Sequence, residues 1–230
     1  MNKKDEVRIQ HSILNKMEKR VLVCLAKKLP RWVTSDHLTW LGLFGAIISA
    51  GGYFLSNWDV EFLWLSSLGF VVNWFGDSLD GTLARVRKAQ RPIYGFYIDH
   101  NIDGLTVLIF CAGAGVSPFV SFSAAMLILS GYYLLSIFTY INTYLRGEFK
   151  ISYGGFGPTE LRLIVILINT LFIYLPTDNS PIFIIGIPIK LFDLFAIVIA
   201  LVLFIIYFWS FFSEKTKYGK IDPPPTLEKF

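Results

Sequence analysis

Between Leu38 and Phe212 the chain passes through six apolar stretches, and no soluble fold offers a place to bury them all. The stretches run over Leu38–Ser56, Phe62–Gly76, Gly95–Val116, Phe119–Leu145, Leu161–Leu175 and Ile189–Phe212. A helix that crosses a bilayer needs about 20 mostly apolar residues. The second and fifth stretches are short for that task, and the second is expected to continue as helix into the polar segment that follows it. Composition agrees: 54% of residues are hydrophobic, 17% are charged, and the mean hydropathy is +0.54. The expected fold is therefore an all-α integral membrane protein with six transmembrane helices, and an N-terminal helix in addition.

Charge gives an independent test of this topology. The segments Asn57–Glu61, Ser117–Pro118 and Pro176–Pro188 carry no Lys or Arg. The alternate segments carry Arg85, Arg87, Lys88 and Arg91, then Arg146 and Lys150, then Lys215, Lys217 and Lys220. Positive charge marks the cytoplasmic side, so both termini are expected there, as an even number of spans requires. The pI near 9.0 then reflects contact with an anionic lipid surface, and nucleic acid is not an expected partner.

Three regions follow. Residues 1–34 hold nine Lys or Arg and no sustained apolar run, so no signal peptide is expected. Within them Val7, Ile13, Leu14, Met17, Val21, Leu22 and Leu25 recur at helical spacing with basic residues between, which suits an amphipathic juxtamembrane helix on the cytoplasmic leaflet. A helix packed on a partner is the alternative. Residues 35–213 form the six-helix membrane domain, and residues 214–230 a polar cytoplasmic tail expected to be disordered. Cys24 and Cys111 stand far apart in apolar surroundings and are expected to be buried free thiols.

Within this apolar frame four acids fall close together. Asp77 and Asp80 are three positions apart, Asp99 and Asp103 four, so each pair shares one helical face. Antiparallel packing of the second and third spans would bring all four to one cytoplasmic depth. Acids near a membrane are costly and are retained mainly for function. Four carboxylates in a partly dry site need counter-charge, and Mg²⁺ or Mn²⁺ is the hard cation that such oxygens prefer. Two such ions would clamp a pyrophosphate. The plainer alternative is a set of solvated helix caps. Gly81 and Ala84 lie one turn on, where small residues admit either a flat nucleotide or a neighbouring helix. Arg85 can pair with a phosphate or an aspartate, or serve as an anchor.

Asp77, Asp80, Gly81, Ala84, Arg85, Gly95, Asp99 and Asp103 together match eight positions of a 27-residue pattern that resembles the signature of CDP-alcohol phosphotransferases. The resemblance implies a six-span fold, a homodimer and transfer of a phospho-alcohol group from a CDP-alcohol donor to an acceptor alcohol with release of CMP. It implies metal binding by Asp77, Asp80, Asp99 and Asp103, with Asp103 the general base or a ligand. Cytidine contacts fall to Gly81 and Ala84, with Arg85 beside them in the nucleotide site and Gly95 keeping the site open. Thr39 matches the Thr of a turn before the first span, although the family's Pro-Asn pair is absent from Ser35-Asp36-His37-Leu38.

His100, directly after Asp99, and Glu160 in Gly157-Pro158-Thr159-Glu160 look like the choline and ethanolamine phosphotransferase branch, where such residues are candidates to activate the acceptor hydroxyl. Without that resemblance His100 is a residue on a helix face and Glu160 an acid near a helix start. Arg146, Lys150 and Arg162 could bind an acceptor or lipid phosphate, or anchor the cytoplasmic side. The tilt from His100 and Glu160 is toward a CDP-linked polar alcohol with a lipid acceptor; the reverse pairing, CDP-diacylglycerol with a polar alcohol, uses the same metal site. A cation transporter would place its acids near the membrane midplane, and a degenerate, non-enzymatic site would lack one of the aspartates. A polyprenyl-transferring enzyme shares Asp-rich metal sites but has no use for the Gly-x-x-Ala-Arg segment.

Overall fold

The computed structural model describes residues 7–9, 15–146, 148–150, 157–174, 182–184, 187–189 and 191–224. Helix α1 spans Asn15–Lys28, α2 Ser35–Leu55, α3 Leu63–Val86, α4 Pro92–Gly115, α5 Phe122–Arg146, α6 Pro158–Tyr174 and α7 Leu191–Ile221. Helices α2 to α7 coincide with the six apolar stretches, and α3 runs past Gly76 to Val86 as the second stretch leads one to expect. Three of them (residues 35–55, 122–145 and 193–221) are long and apolar enough to cross a membrane. Short strands complete the described chain: β1 (Val7–Ile9) pairs in parallel with β2 (Glu148–Lys150), and β3 (Ile182–Ile184) antiparallel with β4 (Ile187–Ile189).

The helices pack in the order α6, α3, α2, α4, α5, α7, which puts α2 at the centre. Its contact with α3 is a seam of small residues. Gly42, Gly45, Ser49 and Gly52 on α2 face Gly76, Asn73, Gly69 and Ser66 on α3, with a 3-4-3 spacing on both helices. A Cβ built on Gly45 would land on the backbone of Asn73, one on Gly52 on Ser66, and one on Gly76 on Gly42. Dispersion between backbones replaces side-chain packing, as membrane helices permit. Gly113 of α4 makes a similar approach to Ala50, where a Cβ would lie 2.5 Å from its Cα.

Toward the far end of the bundle, buried polar groups satisfy one another across three helices. Tyr53 Oη donates to Asn169 Oδ1 at 3.1 Å, Asn169 Nδ2 to Ser67 Oγ at 3.3 Å, and Ser49 pairs with Ser66 at 3.1 Å. This fixes α6 against the α2–α3 pair beside the Tyr53, Leu63, Phe70 and Phe172 core.

The N-terminal region departs from expectation in three ways. Val7 lies in a strand, not in the helix. Helix α1 turns Leu22 and Ala26 onto Leu38, Leu79 and Leu83 of α2 and α3, so part of its apolar face is spent on this chain while Met17 and Val21 remain exposed. Cys24 stands on the outward side and is exposed, unlike Cys111, which is buried; both are free. Ile13 and Leu14 lie outside the described residues. At the other end α7 stays helical to Ile221, held by Tyr218 Oη donating to Asn142 Oδ1 at 2.9 Å, so the first part of the polar tail is ordered.

Candidate active site

The seam sets the site. Because α2 and α3 touch backbone to backbone, Thr39 and Gly42 come level with Asn73, Asp77 and Asp80. Helix α4, lying on the other side of α2, presents Asp99, Ile102, Asp103 and Thr106 from one face. These nine residues line a single cavity. The four aspartates thus reach one space, with α2 as the shared partner of the helices that carry them and Phe70 of α3 stacked on Phe110 of α4 farther along.

Asp80 is the most enclosed of the four, at 6% exposure. Thr39 Oγ1 donates to its Oδ2 at 2.7 Å, the Gly81 N–H to its Oδ1 at 2.5 Å, and Ser35 Oγ to its backbone oxygen at 2.8 Å. Asp77 Oδ2 pairs with Arg162 Nη2 of α6 at 2.7 Å. Arg162 therefore reaches a carboxylate of the cavity and offsets part of the negative charge gathered there.

The remaining residues singled out in the sequence lie around this cavity without lining it. A Cβ on Gly81 would sit 3.3 Å from Arg85 Nη1, and Arg85 Nη2 donates to Thr82 Oγ1 at 3.0 Å. Ala84 is half-buried beside them. Gly95 faces open space, with nothing within 4 Å of an added Cβ. His100 Nδ1 lies 2.6 Å from the Phe96 carbonyl oxygen, its ring 4.0 Å from Phe96 and 5.0 Å from Tyr140. Glu160 Oε2 accepts from the Gly157 N–H at 3.0 Å, in the first turn of α6. The side chains of Arg146 and Lys150 lie outside the described residues.

Three polar residues went unremarked in the sequence. Glu18 of α1 accepts at one oxygen, Oε1, from Trp74 Nε1 at 2.8 Å, Thr159 Oγ1 at 2.8 Å and Ser78 Oγ at 3.4 Å, tying α1 to α3 and α6 beside the cavity. Ser35 braces Asp80. Asn73, one turn before Asp77, is 2% exposed, and its amide oxygen is buried without a hydrogen-bond partner. Its position at the aspartates' helical spacing was a visible signal. The partners of Glu18 were not, since they come from distant segments.

The donor set is hard oxygen throughout, which fits Mg²⁺ or Mn²⁺. Among the described residues no three His, Cys, Asp or Glu side chains already form a closed metal-binding group. The fit thus rests on the chemistry of the carboxylates and on the uncompensated charge of the cavity.

A stretch of 71 residues is 37% identical to the phosphatidylinositol phosphate synthase of Cutibacterium acnes (strain DSM 16379 / KPA171202), covering 31% of this chain and 32% of that protein. The chain thus matches about a third of the length of this curated relative. Residues 32–213 match the CDP-alcohol phosphatidyltransferase family, a span that takes in α2 to α6 and most of α7. With that match running across the whole membrane portion and its aspartates converging on one cavity, the chain belongs to the CDP-alcohol phosphatidyltransferase family.

Proposed function

We propose that this protein is a membrane-embedded phosphotransferase that moves a phosphatidyl group from CDP-diacylglycerol to a polar alcohol and releases CMP. The observation that carries this is the cavity to which α3 and α4 each contribute two aspartates. The family match and the name of the relative support a lipid-linked donor. The sequence tilt toward a lipid acceptor rested on His100 and Glu160, and both engage backbone groups of their own segments instead of lining the cavity.

Asp77, Asp80, Asp99 and Asp103 would hold two divalent cations, which when bound supply counter-charge for the donor's pyrophosphate. In the reaction, the acceptor's hydroxyl oxygen bonds to the alcohol-linked phosphorus, and the bond from that phosphorus to the CMP phosphate oxygen breaks. The proton passes to a carboxylate, for which Asp103 is the candidate. Thr39 and Ser35 hold Asp80 in place, and Gly81, Ala84 and Arg85 form the surface that the cytidine meets, with Gly95 leaving space opposite. Six spans with both termini and the site on the cytoplasmic side, and assembly as a homodimer, complete the reading.

The test is CMP release by the detergent-purified protein with Mg²⁺ or Mn²⁺. CDP-diacylglycerol is offered with a panel of polar alcohols, including inositol phosphate, and CDP-choline or CDP-ethanolamine with diacylglycerol. Metal-dependent release confined to the first panel and abolished in a folded Asp103→Asn variant is the expected result. Release confined to the second reverses the assignment of donor and acceptor.

A further inference from the structure

The unpartnered oxygen of Asn73 asks for a donor or a cation. Its amide cannot simply turn over. Asn73 Nδ2 donates to the Gly42 carbonyl oxygen at 2.9 Å, and rotation would set two oxygens against each other. The backbone cannot shift either, because Asn73 lies in the glycine seam against Gly45. Oδ1 is therefore held at a fixed place, 2% residue exposure leaves it no bulk water, and no described residue donates to it. A buried acceptor in that condition is disfavoured unless something absent from the free protein completes it.

What completes it follows from its neighbours. Asn73 lines the same cavity as Asp77, Asp80, Asp99 and Asp103, one turn from Asp77 on α3, with Thr106 opposite on α4. Four carboxylates gather more negative charge here than Arg162 offsets at Asp77, and Asn73 Oδ1 still needs a donor or a cation. A hydrated divalent cation meets both needs. An amide also contributes an oxygen without adding a fifth negative charge to a crowded site.

Building on the functional reading above, we propose that Asn73 Oδ1 is a further oxygen donor to the divalent cation in this cavity, meeting the ion or one of its bound waters. The residue is a positioning ligand of the metal shell, apart from the four carboxylates.

The test is Mn²⁺ binding by the purified full chain, followed by calorimetry or by the paramagnetic resonance of the free ion, with melting measured in parallel without metal. Asn73→Leu and Asn73→Ser, which remove or withdraw the oxygen, are expected to bind Mn²⁺ roughly tenfold more weakly. Asn73→Asp, which keeps an oxygen there, is expected to hold the affinity or tighten it. Should Asn73→Leu fail to fold, the Ser and Asp variants decide. Folded Leu or Ser variants with wild-type affinity overturn the inference, even if their melting is lowered. Binding lost in Asp80→Asn but untouched at Asn73 sinks this inference alone. A wild-type protein that is folded and binds no Mn²⁺ sinks the functional reading with it.

Discussion

Asp80 illustrates how much of a single carboxylate's behaviour is decided by its neighbours. Its Oδ2 accepts from Thr39 at 2.7 Å inside the bundle. A hydrogen bond to a charged group contributes roughly 1.5–3 kcal/mol. Thr39→Val keeps the shape and removes the donor, so kcat/KM for CMP release is expected to fall roughly ten- to a hundredfold, with the melting temperature lowered as well. Unaltered kinetics would leave Thr39 a packing residue. The four aspartates were legible in the sequence because their 3- and 4-residue spacings repeat the helical period. Thr39 was legible only as the Thr of a turn before the first span. Its bond to Asp80 spans 41 positions of sequence, and no local pattern encodes such a pairing. The same holds for Glu18, which meets Thr159 across 141 positions.

At the scale of elements, the positions of α2 to α7 could be read from hydropathy, although α3 and α7 run on to Val86 and Ile221, past the apolar stretches that mark them. The order of packing could not, because it depends on where backbones can touch. The glycines of the α2–α3 seam decide that order, yet in an apolar run they look like ordinary membrane composition. Gly45→Ala is expected to lower stability by about 1–3 kcal/mol, as overpacking does, and CMP release with it. Gly51, where an added Cβ meets nothing within 4 Å, is the control. Gly51→Ala is expected to leave melting unchanged or raise it slightly through helix propensity. Equal melting of the two variants in detergent would contradict the seam. Helix α1 offers a second case. Glu18→Ala leaves three donors of α3 and α6 without their shared acceptor, and faster proteolytic cleavage within α1 is the expected sign that it has come away from the bundle.

For the whole molecule, the proposed orientation in the membrane can be tested through a cysteine. Cys24 is exposed on α1, whereas Cys111 is buried. In sealed cells a membrane-impermeant maleimide is expected to leave Cys24 unlabelled until the cytoplasmic leaflet is opened, with Cys24→Ser as the blank. Labelling of intact cells would invert the topology. The seam has a last consequence, for access. Along the seam α2 and α3 meet through glycine backbone and the short side chains of Ser49, Ser66 and Asn73, which are hydrogen-bonded across it and leave little slack to open. They behave as one plate, carrying Thr39, Asp77 and Asp80 in fixed relation. Helix α4 joins that plate at both ends, where Gly113 meets Ala50 and where Arg91 pairs with Asp36 of α2. Asp99 and Asp103 therefore stand on a wall separate from that plate, and any change in the width of the cavity is a movement of α4 against it.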